Sequence, residues 1–225
     1  MARDVVTLYN TALSAVSSRG RISTPTENSR EAEICNLWYE TVRDQILAAA
    51  PWSCARTVAN LALISERNFD AAYTIGDPEP PWRFAYSLPA DFIYPRFLDT
   101  FDNFLLGQMN NQRVLYTGLS GATLIYTNRQ TIPAVWDADL WLAMIQGLAG
   151  FICKPLNGKT TMAADAINMA NAIITRARVQ SANEDQIEYD SIPDWLIARG
   201  AIASAVPNRF IYQNGPLLSV NAVFA

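Results

Sequence analysis

Residues 84–94 read FAYSLPADFIY, and this stretch marks the point at which the periodicity of the sequence changes. Upstream of it, apolar residues recur every three or four positions, as they do on one face of a helix. Within it, aromatic and aliphatic residues alternate with small or polar ones until Pro89 and Asp91 interrupt the pattern, which is typical of a strand. The stretch carries no catalytic group, so its apolar side chains must be covered by the chain's own core or by another subunit.

A small antiparallel sheet is therefore predicted between about residues 83 and 130. The segments that alternate in this way are 83–88, 93–98, 112–117 and 122–127. The sequence GLSG separates the last two segments, as in a hairpin or a short loop. The irregular stretch 69–82, which contains GDPEPP, is predicted to be an exposed loop before the first of these strands.

Helices are predicted on both sides of this sheet. Their approximate bounds are 4–18, 25–65, 137–153 and 160–182, with a short helix at 193–199. In TPTE, Thr24 is a natural N-cap, Pro25 fits the first helical position and Glu27 can close a capping box. The second helix is expected to begin there and, after a kink or restart at Pro51, to continue to residue 65.

The fold class expected from these patterns is α+β and mostly helical. It consists of a bundle of about four helices, with a small antiparallel sheet inserted between the second and third helical stretches. Residues 1–200 are assigned to one domain, and residues 201–225 to an extended C-terminal arm.

The composition excludes several classes of function. Of the 225 residues, 50% are hydrophobic, 17% are charged and none is histidine. Without histidine the chain cannot build a Ser–His–Asp or Cys–His nucleophile or a histidine metal site. The net charge of −4, with scattered Lys and Arg, leaves no basic face for gripping nucleic acid. The high apolar content instead favours large buried contact surfaces.

The cysteines and the apolar segments indicate a cytosolic, water-soluble chain. Cys35, Cys54 and Cys153 are widely spaced among apolar neighbours and are interpreted as reduced core residues. The N-terminus lacks a signal-peptide pattern, so export is not expected. The most membrane-like stretch, residues 140–153, is shorter than the about 20 residues that a bilayer crossing needs, and it is interpreted as a buried helix.

The motif NGKTT at residues 157–161 matches the end of a phosphate-binding P-loop. However, Cys153 stands where that pattern requires glycine, and an apolar helix precedes the motif where a strand is required. A turn that joins two helices is therefore predicted.

Two groups of carboxylates are candidates for catalytic or metal-binding sites. Asp137 and Asp139 lie at a predicted helix start, where capping and the helix dipole favour Asp. A loose acidic cluster contains Glu184, Asp185, Glu188 and Asp190. It is interpreted as solvated surface, since clustered charges are usually exposed.

Three motifs, in their order along the chain, resemble those of the tail tubular protein A family, the head-to-tail adaptors of tailed bacteriophages. The motifs are Pro51-Trp52 in RDQILAAAPWSCAR, the segment YSLPAD at residues 86–91, and Pro193-Asp194-Trp195 leading to Ala198-Arg199. The resemblance covers roughly residues 3–200.

This resemblance implies a structural virion protein that is not an enzyme and needs no cofactor or metal. It implies a homo-oligomeric ring of about twelve copies between the portal protein and the tail nozzle. Double-stranded DNA would pass through the ring without sequence-specific binding. The chain would be assembled in the host cytoplasm, would reside in the neck of the virion and would contact no membrane.

The resemblance also suggests which residues make contacts. By position alone, the C-terminal region 203–225 would reach the portal, through Arg209, Phe210, Ile211, Tyr212, Leu217 and Leu218. The residues assigned to a subunit interface or to a structural motif are Trp52, Trp82, Tyr86, Pro89, Asp91, Phe92, Trp195 and Arg199. FAYSLPADFIY is expected to form a sheet edge or bend that packs on the helical bundle and on a neighbouring subunit, with Pro89 stopping the strand.

Two alternatives stay open on sequence grounds. One is a small helical enzyme that uses carboxylates near Asp137 and Asp185, with or without a metal ion, which a concave acidic pocket or metal-dependent activity would identify. The other is a different scaffold or tail-assembly factor with the same helical core, which only the identity of its partner would distinguish.

Overall fold

The computed structural model of the protein describes residues 3–70, 72–74 and 76–184, which form four α-helices and seven strands. The helices are α1 (Val5–Ala15), α2 (Arg30–Ala49), α3 (Ala138–Asn157) and α4 (Thr160–Glu184). The strands are β1 (Arg56–Asn60), β2 (Ala62–Glu66), β3 (Phe84–Ser87), β4 (Phe92–Leu98), β5 (Phe104–Met109), β6 (Gln112–Thr117) and β7 (Thr123–Asn128). The predicted helix 193–199 and arm 201–225 lie outside the described residues.

The strands form two antiparallel sheets, and the chain passes repeatedly from one to the other. The three-stranded sheet has the order β1-β7-β4, and the four-stranded sheet has the order β2-β3-β6-β5. Although β6 and β7 are consecutive, they belong to different sheets, so GLSG is a crossover loop and not a hairpin turn. The tight hairpin joins β5 to β6 through Asn110 and Asn111, whose φ angles of 49° and 63° are those of a type I′ turn.

The fold class expected from the sequence is wrong. The β-structure is not one small sheet inserted into a helical bundle, because it comprises seven strands in two sheets. Residues 56–66, expected as the end of the second helix, form β1 and β2. The small residues there do recur at helical spacing, but Thr57, Val58 and Ile64 are β-branched, and pairing with distant strands decides the conformation.

The second helix also begins later than the capping-box pattern predicts. Ser29 is its N-cap, and its hydroxyl accepts a hydrogen bond from the backbone N–H of Ala32 at 3.2 Å. The Glu27 carboxylate accepts instead from the N–H of Ser23 at 2.7 Å and from the Ser29 hydroxyl at 2.6 Å. TPTE therefore forms a turn that precedes the helix.

Helix α3 is the centre of the helical layer and packs against the other three helices. Leu140, Met144, Leu148 and Ile152 recur every four residues along it and are fully buried. Gly150 brings α4 close, because a Cβ at this position would lie 2.5 Å from Ile167 Cγ1. No helix within the described ranges combines the length and the apolar character that crossing a membrane requires.

The NGKTT motif is a turn between two helices, as predicted. Gly158 adopts a left-handed conformation with φ 67° and caps α3, and its N–H donates to the carbonyl of Lys154. Helix α4 begins two residues later, at Thr160. The segment before the glycine is helical, so the backbone cradle of a P-loop is not formed here.

FAYSLPADFIY comprises β3, a turn and the start of β4. The expectation that it forms a sheet edge is wrong for β3, which lies between β2 and β6, whereas β4 is the edge of the three-stranded sheet. Ile93 packs against the helical core, as expected, whereas Phe84, Tyr86, Leu88 and Phe92 pack in a core formed by the sheets. The buried members of that core are Leu61, Phe84, Tyr86, Phe92, Leu98, Leu115, Ala122, Leu124 and Tyr126.

Candidate assembly interface

The Pro51-Trp52 motif lies where the helical layer meets the three-stranded sheet. Pro51 follows the last residues of α2, and Trp52 is 4% exposed. The Trp52 indole N–H donates to the Ile46 carbonyl at 2.8 Å, and its own carbonyl accepts from Arg96 Nη2 at 2.6 Å. Arg96 also donates through Nε to the Thr127 hydroxyl at 3.2 Å. Trp52 is thus a core residue that connects α2 to both β4 and β7.

An ion pair reinforces this junction. Asp44 on α2 accepts from Arg129 Nε at 3.0 Å, immediately after β7. The other Asp44 oxygen lies 2.9 Å from Arg43 Nη2, whose side chain is almost fully buried. The backbone N–H of Arg129 donates to the Asp91 carbonyl at 2.7 Å, so the turn before β4 is held at the same place.

Tyr86, in the YSLPAD segment, holds the crossover between the two sheets. Its side chain is 2% exposed. The phenolic hydroxyl donates to the Leu119 carbonyl at 2.9 Å and accepts from the Gly121 N–H at 2.8 Å. Both partners belong to the GLSG loop, so one hydroxyl satisfies the loop's inward-facing backbone groups.

The rest of this segment forms the turn into β4. The Pro89 carbonyl accepts from the Phe92 N–H at 3.1 Å, and the Asp91 carboxylate accepts from the Tyr126 hydroxyl at 2.9 Å. Phe92 is buried, with its ring centroid 5.9 Å from that of Tyr126. Burial, together with the hydrogen bond to Asp91, raises the pKa of Tyr126 to about 12.

Trp52, Tyr86 and Phe92 are therefore covered by their own chain, and they serve as a structural motif. Trp82 is half-buried against the small cluster of Ala85, Met109, Val114 and Tyr116, so part of its ring stays available to a neighbour. The remaining predicted contact residues lie outside the described residues. These are Trp195, Arg199, Arg209, Phe210, Ile211, Tyr212, Leu217 and Leu218.

The carboxylates at the start of α3 are engaged in structural contacts. They line a cleft of about 280 Å³ beside the end of α2. Asp137 accepts from the Cys54 N–H at 3.3 Å, and Asp139 forms an ion pair with Arg176 on α4. Asp185 lies outside the described residues. Among the described side chains, no three His, Cys, Asp or Glu residues come together as metal ligands.

All three cysteines are free, and Cys35 and Cys153 are fully buried in the helical core, as the sequence predicts. Cys54 is half-buried. Burial, with a smaller contribution from the Glu31 carboxylate, raises the pKa of Cys35 to about 12. Burial also raises the pKa of Cys54 to about 11. Both thiols therefore stay protonated near neutral pH.

The raised pKa of Cys35 predicts that the protein loses stability in alkali. The unfolded thiol titrates near its ordinary value of 9.0 and the folded thiol near 12, so stability from this group is intact below pH 9 and is lost as the pH rises towards 12. At about pH 10.5 the loss is roughly 2 kcal/mol from Cys35 alone. Urea unfolding from pH 7 to 10.5 measures it, with Cys35→Ala as the control. An identical pH dependence in both proteins would show that Cys35 contributes nothing.

The two edges of the four-stranded sheet expose apolar side chains that the sequence analysis missed. On β2, Leu63 is 53% and Ile64 is 41% exposed, and on β5, Leu105 is 42% exposed. Within the described ranges, no strand pairs with the outer side of either edge. The signals for these strands are the β-branched residues of 56–66 and the Asn-Asn pair after FLLGQM, which is a hairpin pattern.

Comparison of the chain with protein-family models gives no match, and comparison with curated protein sequences gives none either.

Proposed function

We propose that this chain is a head-to-tail adaptor of a tailed bacteriophage, a structural protein that assembles into a ring of about twelve copies. The observation that carries the proposal is the ordered set of motifs Pro51-Trp52, YSLPAD and Pro193-Asp194-Trp195. Two of these motifs connect the layers of the folded chain to one another. Trp52 connects α2 to the three-stranded sheet, and Tyr86 fixes the crossover between the sheets.

Buried contacts between the layers of the fold suit a protein that must resist mechanical force. A connector must keep its contact surfaces in a fixed relation, which requires its layers to be tied to one another by buried contacts. Trp52 and Arg96 make such a tie across the helix–sheet boundary, and Asp44 with Arg129 makes a second. The composition supports the same function, because an aromatic-rich chain with few charges can bury two different flanks against its own copies.

The proposed partners are the portal protein above the ring, the tail nozzle below it, and double-stranded DNA passing through its channel. The net charge of −4 supports a channel along which the duplex slides without being gripped. The proposed location is the neck of the virion, reached after assembly in the host cytoplasm. No cofactor takes part in this function.

Native mass spectrometry of the full chain, alone and mixed with the portal protein of the same phage, tests this proposal. The expected result is a ring-sized complex on the portal. The complex should be lost in a chain that ends at Gly200 and weakened by Phe210→Ala with Leu217→Ala. The matched control is Asn208→Ala with Asn214→Ala, which changes polar residues of the same arm and should leave the complex intact.

Two other outcomes would overturn the adaptor function. An absence of association with the portal, under all mixing conditions, would contradict it directly. Association with another tail protein but not with the portal would identify a tail-assembly factor.

A further inference from the structure

We infer that copies of this chain join head to tail by pairing β2 of one copy with β5 of the next, so that the four-stranded sheet continues across each subunit boundary. This inference rests on the proposed ring and deepens it, because it assigns the contact by which the ring closes.

The strand directions fit such a continuation. In the order β2-β3-β6-β5 every neighbouring pair is antiparallel, so β2 and β5 run in opposite directions. When the next copy repeats the sheet by a simple rotation, its β5 meets β2 antiparallel, like all the other pairs. The three-stranded sheet lacks this property, because its edges β1 and β4 run in the same direction and would meet as a parallel pair.

Both edges also lack the charges that usually prevent strands from pairing. Natural edge strands are often protected by Lys, Pro or inward-pointing charges. The strand β5 reads FLLGQM and contains no charged residue. The strand β2 reads ALISE, and its single charge, Glu66, is in an ion pair with Arg83 Nη2 at 2.8 Å. By contrast, β4 at the edge of the other sheet carries Pro95 and Arg96.

A bulge interrupts β2 between Leu63 and Ser65. Bulges protect some edges by twisting them. Here the additional residue is Ile64, so the bulge exposes a second apolar side chain beside Leu63 and enlarges the apolar area of the edge. Pairing with β5 of the next copy would cover both side chains together with Leu105.

A second copy of the chain fits the free edges of β2 and β5 better than a foreign peptide does. The two unprotected edges lie on opposite sides of one sheet and are similar in length, so each can pair with the other edge of a neighbouring copy. The strands have five and six residues, which is roughly 17–20 Å of edge. A contact limited to one strand pair buries less surface than a stable complex, in which each partner buries about 800 Å². An isolated pair is therefore weak, whereas closure gives each copy two such contacts and leaves no free edge of this sheet.

Thiol cross-linking tests this contact. A chain that carries Leu63→Cys and Leu105→Cys is incubated with a short bis-maleimide, with and without the portal protein, and is run on a denaturing gel. We expect a ladder of multimers up to the ring. Each single variant alone should give no ladder, and the two single variants mixed should give dimers only. Leu37→Cys with Val179→Cys, at exposed positions on α2 and α4, is the matched control, and the unchanged chain gives the background from Cys54.

Charge substitutions at the same positions provide a second measurement. Leu63→Lys or Leu105→Lys is expected to lower the ring fraction in native mass spectra by at least about tenfold, while circular dichroism and the melting temperature stay close to those of the unchanged chain. Leu37→Lys, the control on α2, should leave the ring intact.

The outcomes separate this inference from the function on which it rests. A ring that forms on the portal without a ladder, or that survives both Lys substitutions, would overturn the strand contact and leave the adaptor function standing. Dimers from Leu63→Cys alone, or dimers as the only product of the double variant, would indicate two-fold pairing and overturn the inference. If the unchanged chain formed no complex with the portal protein, both the strand contact and the adaptor function would be overturned.

Discussion

Replacing Tyr86 with alanine is expected to lower the free energy of unfolding by about 3–5 kcal/mol, the usual cost of truncating a buried aromatic side chain. Tyr86 is 2% exposed and packs in the core of the sheets. The substitution also leaves the Leu119 carbonyl and the Gly121 N–H without their shared partner, in the loop that links the two sheets. A loss of packing and a loss of hydrogen bonds therefore coincide at one position.

Urea unfolding measures this loss of stability. A second variant separates the contribution of the hydroxyl from that of the ring, and a third serves as a control. Tyr86→Phe removes only the hydroxyl and should cost about 1–3 kcal/mol, because two backbone groups lose their partner. Tyr94→Ala is the control, since Tyr94 is an aromatic residue in the nearby strand β4 but is 55% exposed. Its expected effect is within about 0.5 kcal/mol. If Tyr86→Ala lowered the free energy of unfolding no more than Tyr94→Ala does, Tyr86 would not hold the two sheets together.

Replacing Trp52 with alanine is expected to cost a similar amount, about 3–5 kcal/mol. Trp52 is 4% exposed, and its indole N–H satisfies the Ile46 carbonyl near the end of α2. The backbone bond between the Trp52 carbonyl and Arg96 does not depend on the indole. The loss should therefore come from packing in the helical core and from the carbonyl left without a partner.

Thermal unfolding and native mass spectrometry test this prediction together. Trp52→Phe keeps most of the ring packing and should cost less than Trp52→Ala, and Trp82→Ala, at a half-buried position, serves as the control for thermal unfolding alone. Well below its melting temperature, Trp52→Ala should still form the ring, since Trp52 is covered by its own chain. A well-folded variant that no longer assembles would instead show that Trp52 contacts a neighbouring subunit.

Periodicity was sufficient to predict the elements whose local pattern agrees with their environment. Strand β6 lies at the predicted residues, and α3 and α4 are close to their predicted ranges. The assignment of residues 56–66 to a helix is wrong because Val58, Ala59 and Ala62 recur at helical spacing although they lie in or next to strands. The conformation of β2 depends on β3, and that of β1 depends on β7, whose Thr123 bonds to Asn60 from 63 positions away. That partner is invisible in a local window, so the fold class could not be derived from local patterns.

The contacts of the site residues could not be predicted from local sequence either. Trp52 and Tyr86 could be singled out from their motifs, but their functions depend on distant partners. Tyr86 holds backbone groups 33 and 35 positions away, and Trp52 meets an arginine 44 positions away. The edges β2 and β5 were missed because one was assigned to a helix and the other was not predicted. A contact between subunits therefore required the strand order, which only the three-dimensional structure supplies.

The alternation of the chain between the two sheets also affects how the protein emerges from the ribosome. Strand β1 is synthesised early, but its only neighbour in the described structure is β7, which follows 63 or more residues later. At about 5–20 residues per second, β1 waits roughly 3–13 s for that partner. During this interval the β1 segment RTVAN is an unpaired strand in the nascent chain, whereas β2 can already pair with β3, so chaperone binding at β1 would protect the newly made subunit from aggregation.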